Sequence, residues 1–202
     1  MPISFRNKIL ALGGVQLGGD GLVSRELNIP YQNVFVSGCP VMSASIALNN
    51  IGAGSSPSMQ ALRFTGTTCT CPITLVVPVP ADAATGITSS ASGTVYVDWT
   101  DITTAAAVAS VAASLYLIPN GSAIGDAGTS TLGAAASGTT ITGTSACELN
   151  SSSLFSFTAP ATRSGFFALK AIVDSVDAAN TSGSNFNLFS LRIKYKSDRI
   201  GT

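Results

Sequence analysis

The side chains in this chain that could do chemistry are few, and their spacing suits catalysis poorly. Histidine is absent. That removes Ser-His-Asp and Cys-His arrangements, imidazole-ligated metals and the commonest general base. A glycosidase needs two carboxylates held across a cleft, and the close acidic pairs on offer are Asp98 with Asp101 and Asp174 with Asp177. Both pairs read first as turn formers and loop caps, where a short carboxylate accepts backbone N–H bonds. With loop carbonyls the same residues could instead hold calcium.

The four cysteines are Cys39, Cys69, Cys71 and Cys147. Cys69 and Cys71 lie two apart in an extended stretch, so their side chains share a face and a bond between them would be strained. Structural zinc asks for a wider knuckle and a second pair. Buried free thiols are therefore preferred to disulfides, and disulfides to a metal. The glycine-rich Gly13 to Gly21, GGVQLGGDG, lacks the Lys and Ser of a phosphate-binding loop and reads as a hinge or a close backbone contact. Trp99 with Tyr96, Phe166, Phe167, Phe186 and Phe189 could form a sugar platform, but filling a core is the preferred role for them. No catalytic, cofactor-binding or metal-ligating residue is nominated, and no cofactor is expected.

Charge carries a second message. Only 10% of the 202 residues are charged and the formal net charge is zero. Polarity comes from Ser, Thr, Asn and Gly, which a neighbouring subunit covers at lower cost than Lys or Glu. Between Phe64 and Thr162 there is no Lys or Arg. The one basic cluster is Arg192, Lys194, Lys196 and Arg199, whose first three members fall on one face of a strand. So little charge argues against nucleic-acid binding; a solvated face or an intersubunit ion pair is preferred. No window approaches the roughly 20 continuous apolar residues of a membrane helix. The opening MPISFRNKILALGGVQLGG imitates a signal peptide, but its apolar stretch is brief and broken by Gly13 and Gly14, so it is read as an arm beginning the mature protein.

The elements that must position these residues are strands. Period-two alternation and β-branched runs, punctuated by Gly, Pro, Asn and Ser, predict an all-β chain. The expected strands are 22–29, 33–37, 41–48, 61–66, 73–79, 93–100, 108–118, 139–149, 153–158, 165–173 and 187–196. Thr104 to Ala113, TAAAVASVAA, would suit a helix, but a single strand ending at the Pro119, Asn120, Gly121 turn explains it together with the following SLYLI. Ala123 to Gly138 reads as a low-complexity loop. A composition shift at GAGSSP, Gly52 to Pro57, divides the chain into an N-terminal attachment arm, 1–56, and a β-sandwich domain, 57–202. The arm has too few strands for its own core. It must pack on the sandwich, on another subunit or on a host surface.

Three stretches carry a family resemblance: PVPADAATGITSSASGTVYVDWT at Pro78 to Thr100, FSFTAP at Phe155 to Pro160, and FFALKAIVDSVDAANTSGSNFNLFSLRIKY at Phe166 to Tyr195. Together they resemble jelly-roll modules of tailed-phage virion proteins, chiefly head decoration or cement proteins and fibre-like appendages, over about Ile73 to Lys196. The resemblance implies a jelly-roll-like antiparallel β-sandwich, a homotrimer, the major capsid protein or neighbouring virion proteins as partners, location in the virion, and no catalytic residues. The alanine-rich Val108 to Leu117 departs from the more polar strands of such modules, which leaves open a capsid-forming jelly roll or another particle. Three non-catalytic functions follow: a capsid decoration protein first, a shell or fibre subunit second, and a carbohydrate-binding module or adhesin using Trp99 and the acidic loops third. A β-sandwich hydrolase is the weakest, because no base or nucleophile pair can be named.

Overall fold

Large apolar residues recur at every second position in most of the extended segments, so each strand has one face that must be buried. The computed structural model describes residues 15–16, 22–33, 35–36, 46–51, 59–64, 72–86, 92–101, 108–122, 130–143, 148–174 and 186–200. Within them, thirteen strands numbered in chain order build two antiparallel sheets and a short two-stranded ribbon.

The six-stranded sheet runs β10 (Asn150–Phe157), β7 (Gly93–Asp101), β12 (Phe186–Ser197), β5 (Met59–Phe64), β4 (Ile46–Ile51), with β2 (Val23–Pro30) also on β12. The five-stranded sheet runs β3 (Phe35–Val36), β6 (Pro72–Pro78), β11 (Gly165–Asp174), β8 (Val108–Pro119), β9 (Ser130–Thr142). The ribbon pairs β1 (Val15–Gln16) with β13 (Arg199–Ile200). This is the all-β chain that the alternation predicts, laid out as the jelly-roll-like antiparallel sandwich that the resemblance implies.

Between the sheets lie Val95, Val97 and Trp99 of β7, Leu191 and Ile193 of β12, Leu115 and Leu117 of β8, and Phe167 and Leu169 of β11, all essentially without solvent contact. Trp99 stacks on Phe186 at 5.1 Å between ring centroids, and Phe186 meets Phe64 edge-on at 5.7 Å. Each such side chain contributes about 1.5–3 kcal/mol by leaving water.

Two sequence readings meet their outcome here. The alanine-rich segment is strand from Val108 onward, and its turn closes as expected, with Gly121 at φ 81° and the Ser122 N–H donating to the Pro119 carbonyl at 3.1 Å. The loop expected over 123–138 is corrected over 130–138, which is strand, and the strand expected over 139–149 holds over 139–142 but not at 143, 148 and 149; 123–129 and 144–147 lie outside the described residues. Residues 130–142 form β9, which pairs along β8 with register shifts between Val111 and Ala113 and between Leu115 and Tyr116. Small residues hid this strand, because only Leu132 and Ile141 of β9 reach the core as large apolar groups. Ladder hydrogen bonds rather than apolar alternation hold it.

β9 also closes one side of the sandwich. Thr139 donates to the Leu154 carbonyl at 2.7 Å, and the Thr158 N–H to the Leu132 carbonyl at 3.0 Å. A Cβ on Gly133 would stand 2.6 Å from the Ser156 carbonyl oxygen, so only glycine lets β9 lean this close to β10.

The boundary expected at 56/57 and all four cysteines lie outside the described residues, so the thiol readings stay as expectations. Of the segment before that boundary, β2 pairs with Ser190–Ser197 of β12 along its length, β3 with β6 and β4 with β5. No helix among the described residues is long and apolar enough to cross a membrane.

Candidate functional site

Alternation decides which side chains of β7 and β12 leave the core. On β7, Val95, Val97 and Trp99 point inward, so Thr94, Tyr96 and Asp98 point out. On β12, Arg192, Lys194 and Lys196 share the outer face expected for them, opposite Asn28, Glu26 and Ser24 of β2. Tyr96 and Thr94 lie across from Arg192 and Lys194 on the other side.

Arg192 is the hub of this face. Its Nε and Nη2 donate to the two oxygens of Asp98 at 2.8 and 3.0 Å, and its Nη1 donates to both oxygens of Glu26 at 3.1 Å. Nη2 also reaches the Ser151 hydroxyl, Ser190 donates to Asp98, and the guanidinium lies 5.1 Å above the Tyr96 ring. Desolvation works against the charged guanidinium, but hydrogen bonds and attraction from Asp98 and then Glu26 outweigh it and leave the Arg192 pKa raised. The preferred reading of a solvated face or intersubunit pair becomes, for Arg192, an intramolecular network.

Beyond the hub toward the start of β12, the alternation slips. Leu188 and Leu191 are both buried, three apart, and the pairing with β7 shifts between Leu188 and Ser190. The slip is a β-bulge. It turns the half-buried Phe189 toward a groove lined by Asn28, Tyr31, Gln60, Asp98 and the exposed Leu149. Tyr31 follows β2 in a single 3-10 turn and donates to Gln60 Oε1 at 3.0 Å, which leaves the Gln60 NH2 to donate elsewhere. At the other end of β12, a second groove of about 270 Å³ is lined by Ser24, Ser92, Thr94, Tyr96, Lys194 and Lys196.

A separate buried polar cluster fastens the 79–86 segment to the end of β12. Asp82 accepts from Tyr195 at 3.0 Å, Ser197 at 2.9 Å and Arg25 Nε at 3.0 Å. Beside it Arg163 pairs with Asp198 and donates to the Ala83 carbonyl at 2.6 Å. Burial, then the hydrogen bond to Asp82 and that carboxylate's charge, push the Tyr195 pKa up to about 12. Unfolded tyrosine ionises near pH ~10, so this contribution is whole below pH ~10 and is lost as pH rises toward 12. Urea titrations across that window should show stability falling by at most ~1.4 kcal/mol per pH unit from this group. Tyr195→Phe should flatten the fall, and an unchanged slope would remove Tyr195 as its source.

The sequence candidates for chemistry are dispersed. Asp98 faces outward in the Arg192 network, whereas Asp101, three residues on, is buried, so the two share no cleft. Asp177 and the side chain of Asp174 lie outside what the structure describes. Trp99 is fully buried and its Nε1 donates to Ser152 at 3.1 Å, which overturns its use as a sugar platform. Phe167 and Phe186 are core as well, while Tyr96, Phe166 and Phe189 reach the surface. Among the described residues no three His, Cys, Asp or Glu side chains gather as a metal site requires.

Core filling is the preferred sequence role for Phe189 and a sugar platform the alternative, and the structure puts its ring at the surface, a placement with a signal in the strand itself. In FNLFSLRIKY the alternation Phe186, Leu188 resumes at Leu191, Ile193, one residue late. The outer face of the five-stranded sheet differs in kind. Val76 and Phe166 are exposed there beside Tyr116, Ile118 and Ala168, and Lys170 is the one charged side chain described on it.

No protein-family model matches the sequence, and no curated protein matches it. Among solved structures, the CBM22-1 xylan-binding domain of Paenibacillus barcinonensis Xyn10C is 9% identical, with a TM-score of 0.44 over 87% of this chain and 95% of that one. CBM35 from Cellvibrio japonicus Abf62 is 12% identical, with a TM-score of 0.42 over 84% of this chain and 92% of that one. The CBM22-1-GH10 modules of Clostridium thermocellum xylanase 10B, complexed with xylohexaose, are 11% identical, with a TM-score of 0.45 over 86% of this chain and 28% of that one. Scores of this size identify neither a family nor a ligand.

Proposed function

We propose that this chain is a non-catalytic carbohydrate-binding module whose binding face is the outer face of the six-stranded sheet. The observation that carries the reading is the groove at the β12 bulge, where the Phe189 ring and Leu149 stand beside the amides of Asn28 and Gln60 and the Asp98 carboxylate. A sugar presents an apolar C–H face and a rim of hydroxyls. An aromatic edge with a few fixed amide and carboxylate groups matches both. Asp98 is held by Arg192 and Ser190, so its orientation is set before a ligand arrives.

Affinity gel electrophoresis against soluble polysaccharides, neutral and acidic, tests the reading. At least one polymer should retard the protein. Phe189→Ala should weaken retardation about tenfold while leaving the melting curve in place, because the ring is not part of the core. No retardation by any polymer, or an unchanged Phe189→Ala variant, would overturn it.

A second reading has its own observation. The nearly uncharged outer face of the five-stranded sheet, with Val76 and Phe166 exposed, favours a virion subunit that assembles through that face, as a decoration protein on a capsid or as a shell or fibre component. In that reading the partners are sister copies, as a trimer, and the major capsid protein. Sedimentation of the purified chain separates the readings, because a monomer at all concentrations that ignores capsids would remove the second and leave the first.

A further inference from the structure

The groove at the far end of β12 holds two ammonium groups that form no ion pair with a described residue. Lys194 and Lys196 stand two residues apart on one strand face, so their stems are about 7 Å apart. Glu26 lies opposite Lys194 in register, yet both its oxygens are taken by Arg192. Asp98 is likewise engaged by Arg192. No hydrogen bond or ion pair joins the Lys194 ammonium to a described residue, and Lys196 donates to the Ser24 hydroxyl at 2.9 Å and has no acid partner. Arg25, Arg163, Arg192 and Arg199 each have an acid partner. On this face Arg192, Lys194 and Lys196 stand against the carboxylates of Asp98 and Glu26, which leaves one positive charge in excess, and it lies in a groove whose other walls, Ser24, Ser92, Thr94 and Tyr96, carry hydroxyls.

We infer that this groove binds a sugar unit carrying an anionic oxygen group, a carboxylate or a sulfate ester, within a longer polysaccharide. The inference rests on the carbohydrate-binding reading and names the ligand class for it. The ammonium groups of Lys194 and Lys196 receive the anion, and Ser24, Ser92 and Thr94 hydrogen-bond the ring hydroxyls. Arg192 cannot compete for the anion, since its donors are already spent. The same strand carries Phe189 about 17 Å from Lys194 and about 23 Å from Lys196 at 3.3 Å per residue, so an extended chain spans both grooves where a single sugar fills one. Joining two weak subsites on one polymer raises the affinity above that of either.

The test uses the full chain and five probes: polygalacturonate, its carboxyl-reduced form, dextran sulfate, dextran and duplex DNA. At least one of polygalacturonate and dextran sulfate should bind about tenfold more tightly than its uncharged counterpart, and the preference should weaken as salt is added. Whichever of the two binds identifies the anion. The double variant Lys194→Gln, Lys196→Gln should lose that preference and keep the wild-type melting curve, whereas Phe189→Ala should weaken charged and neutral polymers alike. Neutral polymers bound as tightly as charged ones, with the double variant unchanged, would overturn the inference and leave the carbohydrate reading standing. No binding to any of the polysaccharides would overturn both. DNA bound as tightly as the acidic polysaccharide would also overturn it, in favour of a general polyanion surface.

Discussion

Trp99→Ala lowers the unfolding free energy by about 4 kcal/mol, in the range for deleting a large aromatic side chain from a packed core. The indole is fully buried, lies face to face with Phe186 at 5.1 Å, and donates to Ser152. Truncation removes all three contributions at once: the area taken out of water, the ring stacking, and a partner for a half-buried hydroxyl. Marginal domains carry only ~5–15 kcal/mol in total, so the urea midpoint read by far-UV circular dichroism should move far to lower denaturant. Trp99→Phe keeps the stack and should lose less than half as much. Because the indole touches no solvent, Trp99→Phe should bind any polysaccharide as the wild type does. A change in affinity with the fold intact would put Trp99 back in the ligand site.

Arg192→Met is the second large effect, at about 2–3 kcal/mol. Breaking a buried ion pair by removing one member costs about 3–5 kcal/mol because the other charge is stranded. Arg192 and Asp98 keep 21% and 14% of their side-chain exposure, so solvent screening takes off part of that. Two carboxylates, Asp98 and Glu26, lose their shared donor, and Tyr96 loses the cation above its ring. A double-mutant cycle with Asp98→Asn isolates the pair, and a coupling of about 1–2 kcal/mol is expected for a bidentate geometry that is partly shielded. Coupling near zero would mean that the network is a surface ornament. The same variants should weaken polysaccharide binding at Phe189 more than their stability loss explains, since Arg192 orients Asp98.

Legibility in the sequence followed the range of the physics involved. The strands with large apolar residues at every second position, such as GTVYVDWTD and SLYLI, could be read because alternation is a property of neighbours along the chain. The shared face of Arg192, Lys194 and Lys196 was legible for the same reason. β9 was not, because its Gly, Ala, Ser and Thr residues carry almost no apolar pattern, and its strand character comes from pairing with β8 and leaning on β10. Phe189 was half legible. The phase slip in its strand was visible, but whether the extra residue faced a core or a groove depended on Tyr31, Gln60 and Leu149, which come from distant parts of the chain.

The amino-acid order by itself determined that this is an antiparallel β protein with no histidine chemistry, and that three cations line one side of one strand. Only the tertiary structure decided that Trp99 is core while Tyr96 is surface, and that Arg192 spends its charge on Glu26 and Asp98 while Lys194 and Lys196 keep theirs. Alternation puts Trp99 and Tyr96 on opposite faces of β7, and what covers each ring, Phe186 for one and the Arg192 guanidinium for the other, comes from a strand far along the chain. The pairing of Arg192 with Glu26, 166 residues away, is settled by which strands β12 recruits on either side when the sheet closes. The charge left over in the groove is a consequence of that closure.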